Sequence, residues 1–421
     1  MKDIKPTKVA ERNLSGIDFF LLWAGAAVSL AEIWAGGTLS GAGFLAAAVA
    51  IIIGHVIGNT PLALGGILGS RHGVPTMVSI RPSFGVVGSQ FAAILNIIQL
   101  IGWTAVMLLI CGFIINTLSS DVNYRIWIAL AGIITTLWAI VGHRFWKWMQ
   151  RAAVSLLLVL CVVLTYVVLA NYDISEIIRT GPSLQYPMGF GLAMDLVIAM
   201  PISWLPLVSD YSRFSKSSKG AFWGTWWGYL IVGSWMYLLG LFASIATGSD
   251  TPDAMVIELM GKAGLIIPAV IIIIFSTVTT TFLDIYSASV STQNIFPRLS
   301  GRWGIFGAGI LGTIIAMFFP ATEYETFLLF IGSIFCPLFG VVLSDYFVLS
   351  KLKMETKELF KKGGKYWYLG GFNVIALLSW GFGFLLYHGI ATFVPNLGAS
   401  LPAIVTSALI YYIVMKFRKN R

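Results

Sequence analysis

Glu32 is a carboxylate near the middle of an apolar run, residues 18–43, that is long enough to cross a bilayer. A charged side chain at that depth costs about 3 kcal/mol, so it is usually turned toward a partner or a water-filled cavity. Gly36 and Gly37 follow within five residues and weaken the helix. Unwound backbone in a membrane is tolerated only where protein or water satisfies it. The pattern favours a binding site over the alternative, a neutral Glu32 that bonds a neighbouring helix.

A second polar group lies in the third apolar run. Asn96, Gln99 and Trp103 are three and four residues apart, which places them along one face of a helix. Amide side chains rarely face lipid, so we expect this face to look into the helix bundle. Trp103 falls in the middle of the run, where it is either core packing or a platform for a stacked ring.

The sixth apolar run is interrupted by Pro201 and Pro206. Each proline removes a helical hydrogen bond and clashes with the preceding turn. Ser203 and Trp204 lie between the two prolines. A Trp on unwound backbone at membrane depth is unusual, and together with Trp103 it could sandwich a flat heterocycle.

The eighth apolar run carries a cluster of hydroxyl side chains, namely Ser276, Thr277, Thr279, Thr280 and Thr281. Such hydroxyls can bond the carbonyl four residues earlier, which is one interpretation. The other is that one or two of them supply oxygens to Na⁺, together with carbonyls from the first run. Asp284 is a second deep carboxylate, and it shares a helical face with Thr280.

The sequence contains no convincing catalytic motif. The four histidines have no metal-binding spacing, and the three cysteines lie in three different apolar runs, so neither a disulfide framework nor a metal site is indicated. A phosphate-binding loop and a Ser-His-Asp arrangement are also missing from the sequence. We therefore expect no enzyme, no cofactor, and no metal other than sodium.

The composition excludes a soluble enzyme, since 57% of the residues are hydrophobic and only 11% are charged. Mean hydropathy is +0.86. The net charge of +9 does not indicate nucleic acid, because of its distribution. With the N-terminus inside and the loops alternating, every Lys and Arg except Arg125, Arg179 and Lys262 falls inside. This predicts a multi-pass protein of the inner (cytoplasmic) membrane with both termini in the cytoplasm, whose first run is a spanning helix and not a signal peptide.

Twelve spans are predicted, at 17–43, 44–68, 84–118, 124–141, 153–170, 190–209, 222–247, 264–290, 303–319, 325–349, 371–389 and 397–416. The predicted organisation is a cytoplasmic tail (1–16), a ten-helix core (17–349) in two repeats (17–170 and 190–349), a basic cytoplasmic linker (350–370), and two accessory spans with a basic tail (371–421). If the repeats are inverted copies, the interrupted first and sixth spans correspond. Paired broken helices in matching positions point to the central site of a transporter.

Three stretches resemble the nucleobase:cation symporter-1 family, and the resemblance covers nearly the whole chain. They are IGWTAVM in span 3, WLPLVSDYSRF in span 6 and TTTFLDIYSAS in span 8. AGAAVSLAEIWAGG together with LNIIQLIGW resembles the CytX-type branch of hydroxymethylpyrimidine permeases. The resemblance implies an all-α integral membrane fold of the leucine-transporter type, with about 12 transmembrane helices. Ten core helices form a 5+5 inverted repeat with broken helices 1 and 6, and two further helices are accessory.

The resemblance also implies roles for individual residues. Trp103 and Trp204 would cover the two faces of a base, and Asp284 would read the ring edge where relatives have asparagine. Thr279 matches a sodium-ligating hydroxyl. Val278 stands where Ser or Thr is common, which leaves sodium coupling open. Glu32 and Asp284 could instead take up a proton, so the coupling ion is expected to be Na⁺ or H⁺.

Two buried carboxylates would repel an anion but accept hydrogen bonds from an exocyclic amine. We therefore predict a secondary active importer of a small pyrimidine, above all hydroxymethylpyrimidine, a thiamine precursor, working in the bilayer without a nucleic-acid partner. The alternatives are a cytosine or other nucleobase:cation symporter, and a non-transporting sensor on the same scaffold. The expected substrate-binding residues are Glu32, Asn96, Gln99, Trp103, Ser203, Trp204, Thr280 and Asp284, and the expected cation ligands are Ser276 and Thr279.

Overall fold

The computed structural model of the protein describes residues 4–119, 121–141, 146–249 and 251–419. Within these ranges the regular structure is helical, apart from two isolated β-bridges. The spans, numbered in chain order, are 1 (Gly16–Ala27 and Leu30–Ala42), 2 (Phe44–His72), 3 (Gly88–Asn116), 4 (Tyr124–Val141), 5 (Trp146–Asn171), 6 (Phe190–Ser212), 7 (Ser218–Thr247), 8 (Ile266–Ile295), 9 (Gly301–Ala316), 10 (Tyr324–Leu343), 11 (Val374–Phe393) and 12 (Ser400–Lys419).

These helices have the length and composition of membrane spans. In the part of the chain that is described, nine are long and apolar enough to cross a bilayer, and the bent pair of span 1 makes a tenth. Spans 4 and 9 are shorter apolar helices. The prediction of about twelve transmembrane helices is therefore confirmed. Many of their outer positions are exposed Ile and Leu, as expected where lipid surrounds the protein.

Span 1 is broken between Ala27 and Leu30, and its two halves are inclined by 59°. The Ser29 hydroxyl accepts a hydrogen bond from the Ala31 N–H at 3.0 Å and so caps the second half. The sequence-based position of the break, beside Gly36 and Gly37, is wrong. These glycines lie inside the helix, where a Cβ on Gly36 would collide with the backbone of span 7. They allow close helix packing and do not unwind the chain.

Span 6 is interrupted at the second of its two prolines. The α-helix Phe190–Trp204 passes through Pro201 and ends in a 3₁₀ turn, Leu205–Leu207, that contains Pro206. A short helix, Val208–Ser212, completes the span. The predicted interruption is confirmed, but the whole of Phe190–Ser212 still forms one spanning segment.

The spans pack in two groups. Spans 1, 2, 6 and 7 contact one another, and spans 3, 4, 8 and 9 form the second group. Span 10 packs on spans 6, 11 and 12. The break in span 1 and the 3₁₀ turn of span 6 lie in the first group, and the polar faces of spans 3 and 8 belong to the second. A hydrogen bond between Gln99 of span 3 and Ser203 O of span 6 connects the two groups.

The linker before span 11 is bound to the segment that precedes span 3. Val87 N–H donates to Gly371 O at 2.9 Å, and Val86 N–H donates to Tyr366 O at 3.2 Å. The guanidinium of Arg81 donates to Leu359 O at 2.8 Å. This region, together with the N-terminal tail that contacts span 2 through Arg12, is called the basic end below.

Candidate functional site

Glu32 lies in the first turn of the second half of span 1 and is 1% exposed. Its Oε1 accepts a hydrogen bond from the Tyr229 hydroxyl of span 7 at 2.9 Å. The carboxyl group is thus held three residues after the break, within the bundle and away from lipid. This agrees with the expectation that a carboxylate at this depth turns inward to a partner.

Gln99 joins spans 3 and 6. Its Nε2 donates to Ser203 O at 2.9 Å and to Asn96 Oδ1 at 2.8 Å. Asn96 in turn donates to the Ser291 hydroxyl of span 8 at 2.8 Å. Both ends of the Asn96 amide group are therefore bonded to other side chains of the protein. Gln99 Oε1 is buried and has no hydrogen-bond partner among the described residues. Since buried polar atoms are nearly always satisfied, this oxygen is open to a ligand donor.

Trp204 is the last residue of the first α-helix of span 6, beside the 3₁₀ turn. Its indole Nε1–H donates to the Tyr229 hydroxyl at 3.2 Å, and its ring meets the edge of Trp23 at a centroid distance of 6.1 Å. Ser203 donates to Met200 O in its own helix at 2.6 Å. Its carbonyl, not its hydroxyl, is the group that contacts span 3.

Trp103 is 8% exposed and lies against span 10, with its ring edge-on to Phe327 at 5.3 Å and to Tyr324 at 6.4 Å. The Tyr324 hydroxyl donates to Ala31 O at 2.8 Å, directly before Glu32 in the chain. Tyr324 therefore connects the ring of Trp103 with the backbone next to Glu32. Its indole Nε1 is buried without a hydrogen-bond partner among the described residues.

The hydroxyl side chains of span 8 line two different cavities. Ser276, Thr277 and Thr280 line a narrow crevice that also contains Ser29 at the break of span 1 and Met107 of span 3. Thr280 donates to Ser276 O. These side chains are the hydroxyls that face the break.

Thr279 is one helical turn after Ser276 and donates to Phe275 O at 2.8 Å and to Ser276 O at 3.0 Å. With Val278 it lines an apolar groove of about 620 Å³ between spans 4, 5 and 8. The two expected cation ligands, Ser276 and Thr279, thus line different cavities although they are neighbours on span 8.

Asp284 is 6% exposed and lies in span 8, one turn after Thr280. Like Glu32, it is a carboxyl group buried in the interior of the protein. Two carboxylates in a low-dielectric interior repel each other unless a proton, a cation or a ligand donor lies between them. The pair can therefore hold positive charge or accept hydrogen bonds.

Two other buried carboxylates, Asp195 and Asp210, have structural roles. Asp195 accepts hydrogen bonds from Ala399 N–H at 2.7 Å and Ser400 N–H at 2.8 Å, so it caps span 12. Asp210 accepts from Thr76 N–H at 2.9 Å near the basic end. Among residues 4–119, 121–141, 146–249 and 251–419, no cluster of three or more His, Cys, Asp or Glu could hold a metal.

Sequence reasoning missed several residues of this site. They are Ser29, which caps the second half of span 1, Tyr229, and the aromatic pair Trp34 and Tyr324. Ser29 had a readable signal, because Ser is a preferred residue at helix N-termini. The tyrosines had none, because a Tyr in an apolar run is normally packing.

Comparison with known proteins places this geometry in a family. A sequence model described as permease for cytosine/purines, uracil, thiamine, allantoin matches residues 6–415. The chain is 24% identical over 394 residues to a hydantoin permease of Microbacterium maritypicum, covering 88% of this chain and 81% of that protein. It is 24% identical over 367 residues to the cytosine permease of Escherichia coli K12, covering 87% and 82%.

Solved structures give the fold. The inward facing conformation of Mhp1 superposes with a TM-score of 0.88 at 21% identity, over 100% of this chain and 94% of that one. A Na⁺-coupled sialic acid symporter follows with a TM-score of 0.67 at 14% identity, over 97% and 91%. The predicted leucine-transporter-like fold is confirmed, and these relatives are permeases and transporters, not enzymes. The chain belongs to the family of permeases for cytosine and purines, uracil, thiamine and allantoin, within the nucleobase:cation symporter-1 group.

Proposed function

We propose that this permease imports a small aminopyrimidine, above all 4-amino-5-hydroxymethyl-2-methylpyrimidine, by cation-coupled alternating access. The observation that carries the proposal is the set of acceptors around the break in span 1. Glu32, three residues after the break, and Asp284 of span 8 are both buried carboxyl groups, and Gln99 Oε1 is buried without a partner among the described residues. An exocyclic amine and a protonated ring nitrogen supply the donors that such acceptors need.

The remaining substrate contacts follow from the aromatic side chains. Trp103 and Trp204 offer ring faces to a flat heterocycle, since stacked aromatic rings attract one another beyond the burial of their area. The indole N–H of Trp103, which has no hydrogen-bond partner in the described part of the chain, can donate to a ring nitrogen or to the hydroxymethyl oxygen. Ser203 and Thr280 complete the predicted pocket, and Asn96 acts by holding Gln99.

For the coupling cation we propose a site in the crevice beside Ser29. Ser276 faces this crevice together with Thr280, and hydroxyl and carbonyl oxygens suit a hard cation such as Na⁺. Thr279 stays a candidate only if its side chain turns from the apolar groove that it lines. A proton shared by Glu32 and Asp284 is the alternative coupling ion.

We infer that the basic end faces the cytoplasm of a cell whose inner membrane holds the protein. The argument is the distribution of Lys and Arg, which leaves only Arg125, Arg179 and Lys262 on the opposite side. Both termini are then cytoplasmic, and substrate enters from the side that carries few basic residues.

Binding to the purified protein tests the proposal. The probes are 4-amino-5-hydroxymethyl-2-methylpyrimidine, cytosine, and leucine as a neutral amino acid, each titrated in detergent with and without Na⁺. We expect the hydroxymethyl compound to bind most tightly and leucine not to bind. Binding of leucine without either pyrimidine would overturn the proposal. Counterflow exchange in vesicles then distinguishes a transporter, which exchanges, from a sensor, which binds without exchanging.

A cytosine symporter is the second candidate. The chain covers 82% of the E. coli cytosine permease, and cytosine presents the same exocyclic amine to Glu32 and Asp284. Tighter binding of cytosine than of the hydroxymethyl compound in the same titration would favour this candidate.

A further inference from the structure

Tyr229 lies in the middle of span 7, fully buried, and its hydroxyl connects two of the residues proposed to bind substrate. It accepts a hydrogen bond from Trp204 Nε1 at 3.2 Å and donates one to Glu32 Oε1 at 2.9 Å. Three separate spans, 1, 6 and 7, are therefore joined by one side-chain oxygen.

The direction of these hydrogen bonds is fixed by chemistry. An indole N–H can only donate, so Trp204 must use a lone pair of the Tyr229 oxygen. The single hydroxyl proton of Tyr229 is then free to point at Glu32, whose Oε1 is the acceptor. The indole N–H keeps its acceptor whichever way the hydroxyl proton points, and toward an ionised Glu32 the phenol must be the donor.

The ring of Tyr229 is itself held on two sides. Trp23 of span 1 meets it edge-on at a centroid distance of 6.4 Å, and His55 of span 2 lies at 6.1 Å. The hydroxyl therefore has a fixed position. Trp204 and Glu32 have rotatable side chains, and each forms a hydrogen bond with that hydroxyl.

We propose that Tyr229 is a positioning residue for specificity, which ties the ring-stacking side chain Trp204 to the acceptor Glu32. The inference rests on the proposed function, because it assumes that an aminopyrimidine stacks on Trp204 and donates to Glu32. Without the hydroxyl, the indole and the carboxyl group each turn independently. A ligand must then immobilise both side chains on binding, and the conformational entropy lost in doing so weakens its affinity.

A role in core packing alone predicts a different result. If Tyr229 only fills space between spans 1, 2, 6 and 7, loss of its hydroxyl weakens all ligands alike. If it positions Glu32, removal of the hydroxyl weakens the affinity only of ligands that donate an amine hydrogen bond to that carboxyl group. The readout is therefore the ratio of two affinities and not one affinity.

The test compares Tyr229→Phe with the matched control Tyr237→Phe, two turns later in span 7. Tyr237 is equally buried, but its hydroxyl lies 3.5 Å from Leu196 O, at the limit of a hydrogen bond. The probes are 4-amino-5-hydroxymethyl-2-methylpyrimidine and 5-hydroxymethyl-2-methylpyrimidine, which lacks the amine. In Tyr229→Phe we expect the Kd of the amine to rise tenfold or more and the Kd of the second probe to change less than threefold. In Tyr237→Phe both should stay within threefold of wild type.

Equal weakening of both probes, or no change in either, would overturn the proposal. If the wild-type protein binds neither probe, the proposed function fails, and the connection is tested without ligand. Thermal unfolding of Tyr229→Phe, Glu32→Gln and the double variant then forms a mutant cycle. Non-additive shifts in Tm support the link between Tyr229 and Glu32, and additive shifts refute it.

Discussion

The ring of Tyr324 in span 10 stacks on Trp34 in the second half of span 1, with centroids 4.1 Å apart and planes inclined by 10°. The Tyr324 hydroxyl also donates to Ala31 O at 2.8 Å. Span 10 thus holds the segment that carries Glu32 by both a ring contact and a hydrogen bond. A movement of span 10 would shift the carboxyl group with it.

Replacing Tyr324 with Phe keeps the stacked ring and removes the hydrogen bond to Ala31. We expect the free energy of unfolding to fall by about 1 kcal/mol, the usual net value of a buried hydrogen bond. Trp34→Ala removes the ring itself and should cost roughly 3–5 kcal/mol. Thermal unfolding in detergent measures both changes. Tyr237→Phe is the control, and an equal loss in Tyr237→Phe and Tyr324→Phe would contradict the assignment.

Glu32→Gln should weaken binding of the aminopyrimidine by about tenfold or more, since a hydrogen bond to a charged group contributes about 1.5–3 kcal/mol. The amide can still accept, but it carries no charge for the amine. Titration of the purified variant measures the effect. Glu258→Gln, on the exposed side of helix Pro252–Lys262, is the control and should bind like wild type. Unchanged affinity in Glu32→Gln would remove Glu32 from the site.

Much of the fold could be predicted from the sequence, because bilayer thickness sets the length of apolar runs. The predicted span 222–247, for example, corresponds to Ser218–Thr247. The break of span 1 was misplaced because glycine has two uses that look alike in sequence. It weakens a helix, but at Gly36 it permits close contact with span 7 instead.

Some residues of the candidate site could be proposed from the sequence, and others could not. Glu32, Gln99 and Asp284 could be proposed from the sequence, because a polar side chain in an apolar run is energetically costly and is usually retained for a purpose. Tyr229 could not, because its hydroxyl partner Glu32 is 197 residues away in the chain. Tyrosine is amphipathic and common in buried positions, so only coordinates reveal which of these hydroxyls meets a carboxyl group.

Span 8 lines two different cavities, and substitutions in each of them test where the coupling ion binds. Ser276→Ala and Thr280→Val remove oxygens from the crevice beside Ser29, whereas Thr279→Val changes a side chain that lines the apolar groove. If Na⁺ binds in the crevice, the first two variants should raise the Na⁺ concentration for half-maximal uptake by about tenfold. Thr279→Val should change it less than threefold.

Uptake into proteoliposomes at fixed pH, with choline replacing Na⁺ in steps, gives this concentration for each variant. A large effect of Thr279→Val alone would place the cation site at Thr279 and not in the crevice beside Ser29. Accumulation that persists in choline with a proton gradient would instead favour a proton held by Glu32 and Asp284.

Asp195 should matter for stability and not for ligand affinity. Asp195→Ala removes the acceptor for Ala399 N–H and Ser400 N–H at the start of span 12, a change that typically costs about 1 kcal/mol. We expect a lower Tm and an unchanged Kd for the pyrimidine. Asp173→Ala is the matched control, because Asp173 caps the short exposed helix Ile174–Arg179 and should affect Tm less. A weakened Kd in Asp195→Ala would show that the carboxyl group serves the site.

Arg81 should hold the linker to the basic end. It is 5% exposed and bonds Leu359 O at 2.8 Å and Asn294 Oδ1 at 2.6 Å, with the guanidinium 5.0 Å from the ring centre of Phe360. Arg81→Lys keeps the charge but not the planar fork that reaches two acceptors. A loss of about 1.4 kcal/mol would raise the open population of the linker tenfold, and trypsin cleavage there should accelerate accordingly.

Burial lowers the pKa of Arg81 to about 10, so the guanidinium stays protonated throughout the neutral range. Linker cleavage in the wild-type protein should therefore not change between pH 6.5 and pH 8.5 once the rate of trypsin itself is corrected for. Glu355→Gln is the control, since it breaks an exposed ion pair with Lys365 and leaves every trypsin site in place, and such pairs contribute about 0–1 kcal/mol. If Glu355→Gln accelerated cleavage as much as Arg81→Lys, the linker would be held by its own surface charges and not by the buried guanidinium.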